Sequence, residues 1–289
     1  MSKVPSVGFA GMNDLFGLSG NVSEVMEIAL SECQPFKNHP FKVLDDDDMQ
    51  NLVESVKLNG KILEPILVRP AGIGNYEIIS GHRRCEAARR CGFDKIPAIV
   101  HDYTDDEATV IMVDANLRRE NLSYSEMAYA YRMKYDAMKH QGKMGEGSSL
   151  ETLAENSNDS AKKIQRLIRL TYLIPQLLEL VDTGNIPFLA GVDLAALETN
   201  EQMTVYTVLI CKPVMKIDIK QAKQLKDLSA NGIVSEKSVR DILLPEKKPP
   251  IKKFTWQSDR IYDYFSPEKD SKEIEDTILR LLEKYRDEL

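Results

Sequence analysis

Nothing in the 289 residues approaches a run of about 18 apolar residues, the length a helix needs to cross a bilayer, so no membrane-spanning helix and no membrane partner are expected. The opening Met1-Ser2-Lys3-Val4-Pro5 lacks the basic-then-apolar order of an export signal, and a cytoplasmic protein is the expectation. The 4 cysteines, Cys33, Cys85, Cys91 and Cys211, form no C-x-x-C pair and have no histidines at ligand spacing, which argues against a zinc site and a disulfide framework. Positive charge is in short supply too. The 38 Lys and Arg against 45 Asp and Glu leave a net charge of −7, which excludes a protein that coats nucleic acid indiscriminately. Nucleic-acid binding then requires basic residues concentrated locally. They are concentrated twice: Arg83, Arg84, Arg89 and Arg90 lie within eight residues, and so do Lys162, Lys163, Arg166 and Arg169. With 43% apolar residues, the chain has material for two or three small domains with their own cores.

The first basic cluster sits in a distinctive context. Tyr76 to Ile79 reads as a short apolar strand, Ser80-Gly81 as a turn, and Arg83 to Cys91 as a helix stopped by Gly92. A helix start offers free backbone N–H groups and partial positive charge, and a glycine before it lets an anion approach the backbone. Adding Arg83 and Arg84, whose guanidinium forks match phosphate oxygens, makes this a candidate phosphate cradle as well as a solvated basic helix.

Along the chain, residues 1–32 carry four glycines between Gly8 and Gly20 without sustained periodicity and read as a flexible arm with an apolar patch, Leu15-Phe16-Gly17-Leu18. From residue 33 to 116, short β-like runs (Ile66 to Arg69, Tyr76 to Ile79, Ala98 to Val100) alternate with helical ones, predicting a small α+β domain. Asp45 to Asp48 stand at the amino end of a helix over Met49 to Leu58, where carboxylates favour the dipole, and read as a capping feature rather than a metal site. Residues 117–244 are expected to be helical. Thr104 to Glu107 and Ser123-x-x-Glu126 are capping signals that bring Asn116, Arg119 and Glu120 near a helix junction, where Asn116 and Glu120 oxygens suit Mg²⁺ or simply end a helix. A glycine-rich break at 141–147 precedes a helix-turn-helix at about 148–171, in which Ser160 caps a second helix that presents Lys162, Lys163, Gln165, Arg166 and Arg169. In that helix Ile164, Leu167, Ile168 and Thr171 are expected to face the core. Residues 245–289 form a lysine-proline linker and a carboxyl-terminal helix whose stripe of Ile274, Ile278, Leu281, Leu282 and Tyr285 favours pairing with a second chain.

Four segments, in order, resemble the ParB family of partition proteins. Gly81-His82-Arg83-Arg84-Cys85-Glu86-Ala87 is similar to the family's G-E-R-R-x-R-A box, and Asn116-Leu117-Arg118-Arg119-Glu120-Asn121-Leu122 to its E-N-x-x-R-E-D-L box. Pro40 to Asp45 stands where the family has Q-P-R-x-x-F-D, and Gly60 to Arg69 resembles its G-x-x-x-P-I-x-V-R strand. The resemblance implies an amino-terminal ParB/sulfiredoxin-like α+β domain that binds CTP with Mg²⁺. It assigns Ser80, Gly81, His82, Arg83, Arg84, Ala87, Asn116, Arg119 and Glu120 to the nucleotide, with Asn116 and Glu120 on the metal. It implies double-stranded DNA read by the helix-turn-helix, a homodimeric clamp on a centromere-like site, nucleoid association and a ParA-type ATPase partner.

Two departures qualify that expectation. The acidic positions of the boxes are His82 and Ala115 here; alanine can neither position a water nor accept its proton, so binding with slow or absent turnover is expected and no catalytic residue is assigned. The family's G-H-A-R element is replaced by Ala190-Gly191-Val192-Asp193-Leu194-Ala195, which points to a cognate site on a plasmid or mobile element. Two rivals use the same fold: a transcription regulator without nucleotide switching, and an enzyme such as a free-amino-acid kinase or a sulfiredoxin-like protein. Cys85 lies inside the box, but sulfiredoxin-like chemistry wants its cysteine beside the glycine, where this chain has His82.

Overall fold

In the computed structural model, residues 24–119, 121–142, 149–155, 157, 159–211, 215–244 and 262–286 are described. Residues 1–245 make one compact unit and 246–289 another.

The amino-terminal part is built on a five-stranded sheet. Its strands are β1 (Val25–Ala29), β2 (Cys33–Pro35), β3 (Ile66–Pro70), β4 (Tyr76–Ser80) and β5 (Lys95–Val100), in the order β1-β5-β3-β4-β2. β1 runs antiparallel to β5 and β4 antiparallel to β3, while β3 lies parallel to β5 and β2 parallel to β4. Helices α1 (Asp47–Asn59) and α2 (His82–Arg90) cover one face, and α3 (Asp105–Asn116) with α4 (Tyr124–His140) covers the other.

Because a strand alternates its side chains, both faces take a share of each strand. Ile66, Val68 and Ile78 pack with Met49, Val56, Cys85 and Ala88 on the α1–α2 side. Leu67 and Ile79 pack with Ala108, Met112, Val113 and Ala130 on the α3–α4 side. A sheet covered on both sides needs uninterrupted apolar strands, and Ile66-Leu67-Val68 and Ile78-Ile79 supply them. The α3–α4 cluster includes residues on both sides of position 116, so the boundary expected at 116/117 falls inside the first compact unit.

β1 lies within the expected amino-terminal arm. Only Ile28 of its five residues is buried, as befits an edge strand, and that leaves little periodicity to read. Residues 1–23, including the Leu15 to Leu18 patch, lie outside the described residues, as do the linker at 245–250, most of the 141–147 break and Ser148.

The remaining helices of the first unit are α5 (Ser149–Glu155), α6 (Ala161–Leu170), α7 (Pro175–Asp182), α8 (Phe188–Leu194), α9 (Thr199–Leu209), α10 (Ile219–Ala230) and α11 (Glu236–Leu243). Helices α6 to α11 share an apolar core that includes Leu170, Leu177, Ile186, Leu194, Val205 and Leu225, while Leu153 of α5 packs with Tyr131, Ile164 and Leu167. Gln202 is almost fully buried there and is satisfied on both sides of its amide. Its Oε1 accepts from Ile174 N–H (2.8 Å), and its Nε2 donates to the carbonyls of Tyr172 (3.1 Å) and Leu197 (3.0 Å).

The first turn of α4 ties the two halves of this unit together. Glu126 closes a capping box with Ser123, and its second oxygen, Oε1, accepts the backbone N–H of Lys42 at 2.8 Å. One residue earlier, Ser125 donates to both oxygens of Asp182, at the end of α7. In the second unit, α12 (Ser271–Lys284) exposes Leu279, Leu281 and Leu282. Among the described residues no helix is long and apolar enough to cross a membrane.

Candidate functional site

The site begins where β4 hands over to α2. Gly81 has φ of 105°, which L side chains rarely adopt, and a Cβ there would lie 2.6 Å from Ile66 Cγ2. Only glycine fits, so the chain can turn sharply and present the free N–H groups of α2 outward. No side chain caps that end.

A cavity of about 160 Å³ opens over this turn. Its walls come from three distant segments: His39 and Val43, the Gly81-His82-Arg83-Arg84 turn, and Asn116 with Arg119. The expected nucleotide residues Gly81, His82, Arg83, Arg84, Asn116 and Arg119 are thus brought together. Ser80 ends β4 beside them, and Ala87 is fully buried on the inner side of α2, packed with Cys85 and Ala88. Glu120 lies outside the described residues. Arg84 also lines a second cavity of about 260 Å³, walled by Leu52, Val56 and the Lys61 to Glu64 segment. His82 likewise borders a third, about 300 Å³, that reaches Arg89 and Arg90.

The arginines differ in how free they are. Arg83 makes a two-pronged pair with Asp46 (2.7 and 3.2 Å), and Asp46 at the same time caps α1 by accepting Met49 N–H at 2.9 Å. The Arg83 hydrogen bond, followed by the Met49 amide, holds the Asp46 carboxyl down at about 2. Arg84 donates one nitrogen to the Pro65 carbonyl (2.7 Å) and meets Glu64 at 3.3 Å. Burial lowers its pKa, but a guanidinium remains charged in any protein setting. Arg119 makes no ion pair among the described residues. Asn116 donates its amide nitrogen to the Met112 carbonyl (2.8 Å), so that Oδ1 is the acceptor this side chain has to offer a ligand.

Two histidines meet at the cavity wall. The rings of His39 and His82 stand 4.0 Å apart, tilted at 45°. His82 Nε2 accepts a long hydrogen bond from Phe36 N–H (3.4 Å), and burial, then the charges of His39 and Arg89, drive its pKa down to about 3. His39 places Nδ1 2.8 Å from the Phe41 carbonyl, while its Nε2 is buried without a partner. Desolvation is again the first cause of its lowered pKa. Both rings are therefore neutral near pH 7.

The second basic cluster lies on α6. Ile164, Leu167 and Leu170 are buried, while Ile168 and Thr171 are half-buried, so the inward face departs from the expected one at the end of the helix. Lys162, Lys163, Gln165 and Arg169 are exposed and Arg166 is half-exposed. Ser160 caps the helix by accepting Lys163 N–H (3.3 Å), and Lys163 Nζ is paired with Asp159 (2.6 Å), which in turn accepts Tyr131 O–H (2.8 Å). α5 and α6 pack on one another through Leu153, Ile164 and Leu167, which leaves the basic side of α6 facing outward.

A model of the ParB N-terminal domain matches residues 17–117. The chromosome-partitioning protein Spo0J of Thermus thermophilus is 32% identical over 186 residues, which is 64% of this chain and 64% of that protein. The amino-terminal domain of this chain is a ParB N-terminal domain. The nucleoid occlusion protein of Listeria innocua is 33% identical over 181 residues, 63% of this chain and 61% of that protein. The matches span less than two thirds of the length of these two curated relatives. Among solved structures, the C-terminally truncated chromosome-partitioning protein ParB of Caulobacter crescentus complexed with CTP-gamma-S is similar, with 22% identity over 70% of this chain and 98% of that one and a TM-score of 0.31.

Two features of this site escape a reading of its boxes alone. His39 lies 43 positions from its ring partner His82, and Asp46 lies 37 positions from Arg83, so neither pairing leaves a periodic trace. Asp46 is recognisable in the sequence as a helix cap but not as a guanidinium partner. The replaced G-H-A-R element proves to be core: Ala190, Gly191 and Leu194 are buried in α8, a Cβ on Gly191 would meet Val181 at 2.8 Å, and Asp193 is paired with Lys226 at 2.6 Å. Its carboxylate is therefore neutralised rather than a bare repulsive charge. Cys85 is fully buried in the α1–α2 core, and burial pushes its thiol up to about 12, which leaves no thiolate for sulfiredoxin-like chemistry.

Proposed function

We propose that this protein is a DNA-binding partition protein of the ParB family that holds CTP with Mg²⁺ in the cavity over Gly81 and uses it to switch a homodimeric clamp. The observation that carries the nucleotide half is the meeting of residues 39–43, 81–84 and 116–119 around one cavity above an uncapped helix start. Cytosine is taken from the resemblance of the Gly81 and Asn116 boxes to those of the family.

The donor set fits a polyphosphate. Gly81 gives close backbone approach, Arg84 is oriented by the Pro65 carbonyl with further guanidinium N–H groups to spare, and Arg119 has no carboxylate to leave among the described residues. Arg83 must exchange Asp46 for a phosphate oxygen, which loosens the link between α1 and α2. Asn116 and Glu120 would hold the Mg²⁺, which supplies charge neutralisation between phosphate groups. With Ala115 carrying no proton acceptor and burial pulling His82 down to about 3, which makes it a poor base, neither position draws a proton from water effectively, and turnover is slow or absent. Because Asn116 ends α3 and α4 follows it, contacts at 116–119 bias the position of the helices that carry α6.

On the DNA side, Lys162, Gln165, Arg166 and Arg169 of α6 enter the major groove, with Ser160 and Lys163 at the helix start near the backbone. The absence of the family's G-H-A-R histidine and arginine from 190–195 is the ground for a site other than the usual chromosomal one, on a plasmid or mobile element. The exposed leucines of α12 supply a surface for the second chain, and a ParA-type ATPase and nucleoid association complete the reading.

A second reading, a DNA-binding regulator without nucleotide, is favoured by one observation: Arg83 and Arg84 already have partners within the chain. Calorimetry decides between them, with CTP, ATP, GTP and UTP plus Mg²⁺ titrated into wild type and Arg84→Ala while phosphate release is followed. CTP-selective binding, lost in the variant and with little release, supports the clamp. Absence of binding by every nucleotide, with and without DNA fragments, overturns it and leaves the regulator.

A further inference from the structure

The position after Gly81 is acidic in the family box and is His82 here, and the residue packed on it is a second histidine. The two rings are not equivalent. His82 has its Nε2 satisfied by the Phe36 amide and lies tilted against its neighbour. His39 has its Nδ1 spent on the Phe41 carbonyl, which leaves Nε2 as a buried lone pair with nothing to accept from. Such a nitrogen is an orphan in the free protein and repels an anion; adding one proton makes the same atom a charged donor.

Resting on the nucleotide reading above, we propose that His39 is a further binding residue for the nucleotide phosphates, taking up one proton from solvent as the anion enters and donating it from Nε2. His82 stays neutral beside it, because a second imidazolium 4.0 Å from the first is repelled.

The charges around His39 set the balance. After burial, the Phe41 carbonyl favours its protonation, Arg119 opposes it and Glu126 on α4 favours it; Arg83 and Arg84 line the same cavity, and Arg89 acts on His82. In the free protein burial and the cations win, so the ring is neutral. A triphosphate brings several negative charges to the same wall and cancels the cations first. A glutamate at position 82 would supply that negative charge permanently and hold His39 protonated in the free state. With histidine there instead, protonation waits for the ligand.

The sign of the linkage follows. His39 binds its proton in the complex and not in the free protein, so nucleotide affinity rises as pH falls, by up to about tenfold per pH unit where the ring titrates. The nucleotide's own terminal phosphate, which protonates near pH ~6, acts in the opposite sense and cannot imitate this.

The test is calorimetry on the full chain with CTP plus Mg²⁺, and with inorganic tripolyphosphate, between about pH 6 and pH 8 in buffers of different protonation enthalpy. Wild type is expected to take up close to one proton and to bind more tightly at the acid end. H39Q should bind with no proton uptake and without the rise in affinity toward acid pH. H39N serves as the second removal of Nε2, with thermal melts checking that each variant is folded. Wild-type binding without proton uptake, or uptake retained in folded H39Q and H39N, overturns the role of His39 while leaving the nucleotide site standing. Failure of CTP and tripolyphosphate to bind at any pH overturns both.

Discussion

Gly81→Ala tests whether the turn over which the cavity opens is as tightly built as its geometry requires. Two costs are expected. Holding a non-glycine residue at positive φ costs about 1–2 kcal/mol. A methyl placed 2.6 Å from Ile66 Cγ2 and 3.1 Å from its Cβ forces the β3 core residue to move, an overpacking cost of about 1–3 kcal/mol. The sum is about 2–5 kcal/mol in urea unfolding. Gly74→Ala isolates the first cost, because Gly74 has φ of 70° but nothing within 4 Å of a new Cβ. Ile66→Ala isolates the second by removing Cγ2, so that in its background Gly81→Ala should cost little more than Gly74→Ala. Equal losses for Gly81→Ala and Gly74→Ala, within about 0.5 kcal/mol, would refute the close approach of Gly81 to β3.

Three further outcomes are expected. Asp46 has its carboxyl pulled from 3.8 to about 2 by Arg83 and the Met49 amide, so its contribution to stability is present above its unfolded value and lost as pH falls through about 2; D46N should flatten the loss in thermal melts over that window. Gln202→Leu strands Ile174 N–H and the Tyr172 and Leu197 carbonyls in the helical core and should cost at least ~2 kcal/mol in urea unfolding. Lys162→Ala and Arg169→Ala should weaken DNA binding on all sequences alike and reduce the slope of log affinity against log salt by about 1 for each phosphate no longer neutralised, whereas Gln165→Ala should alter sequence preference in a binding-site selection.

Local chemistry makes most of the α+β fold legible. The Ile66-Leu67-Val68 and Ile78-Ile79 runs are β3 and β4, two of the three interior strands, and Ser123-x-x-Glu126 marks the start of α4 at Tyr124. Asp46 caps α1, so the acidic run at 45–48 is an ordinary helix start. β1 and β2 escape because edge strands of five and three residues with one buried position each carry almost no period. At the site, the phosphate-type boxes are readable because glycine, arginine and asparagine sit at fixed short spacings. The partners they find are not. Asp46 on Arg83, Pro65 on Arg84 and His39 on His82 are tertiary pairings across 37, 19 and 43 positions, decided by how the sheet and its helices close.

The bond from Lys42 N–H to Glu126 also makes this one amide a natural clock. It lies one residue from Val43 on the cavity wall, and its partner is a carboxylate on the helix that Ser125 fastens to Asp182. Any motion that parts the wall from α4 must break that bond and open the amide to exchange with solvent. The exchange rate at Lys42 therefore measures, at a single position and without any label, how often the two halves of the molecule let go of each other.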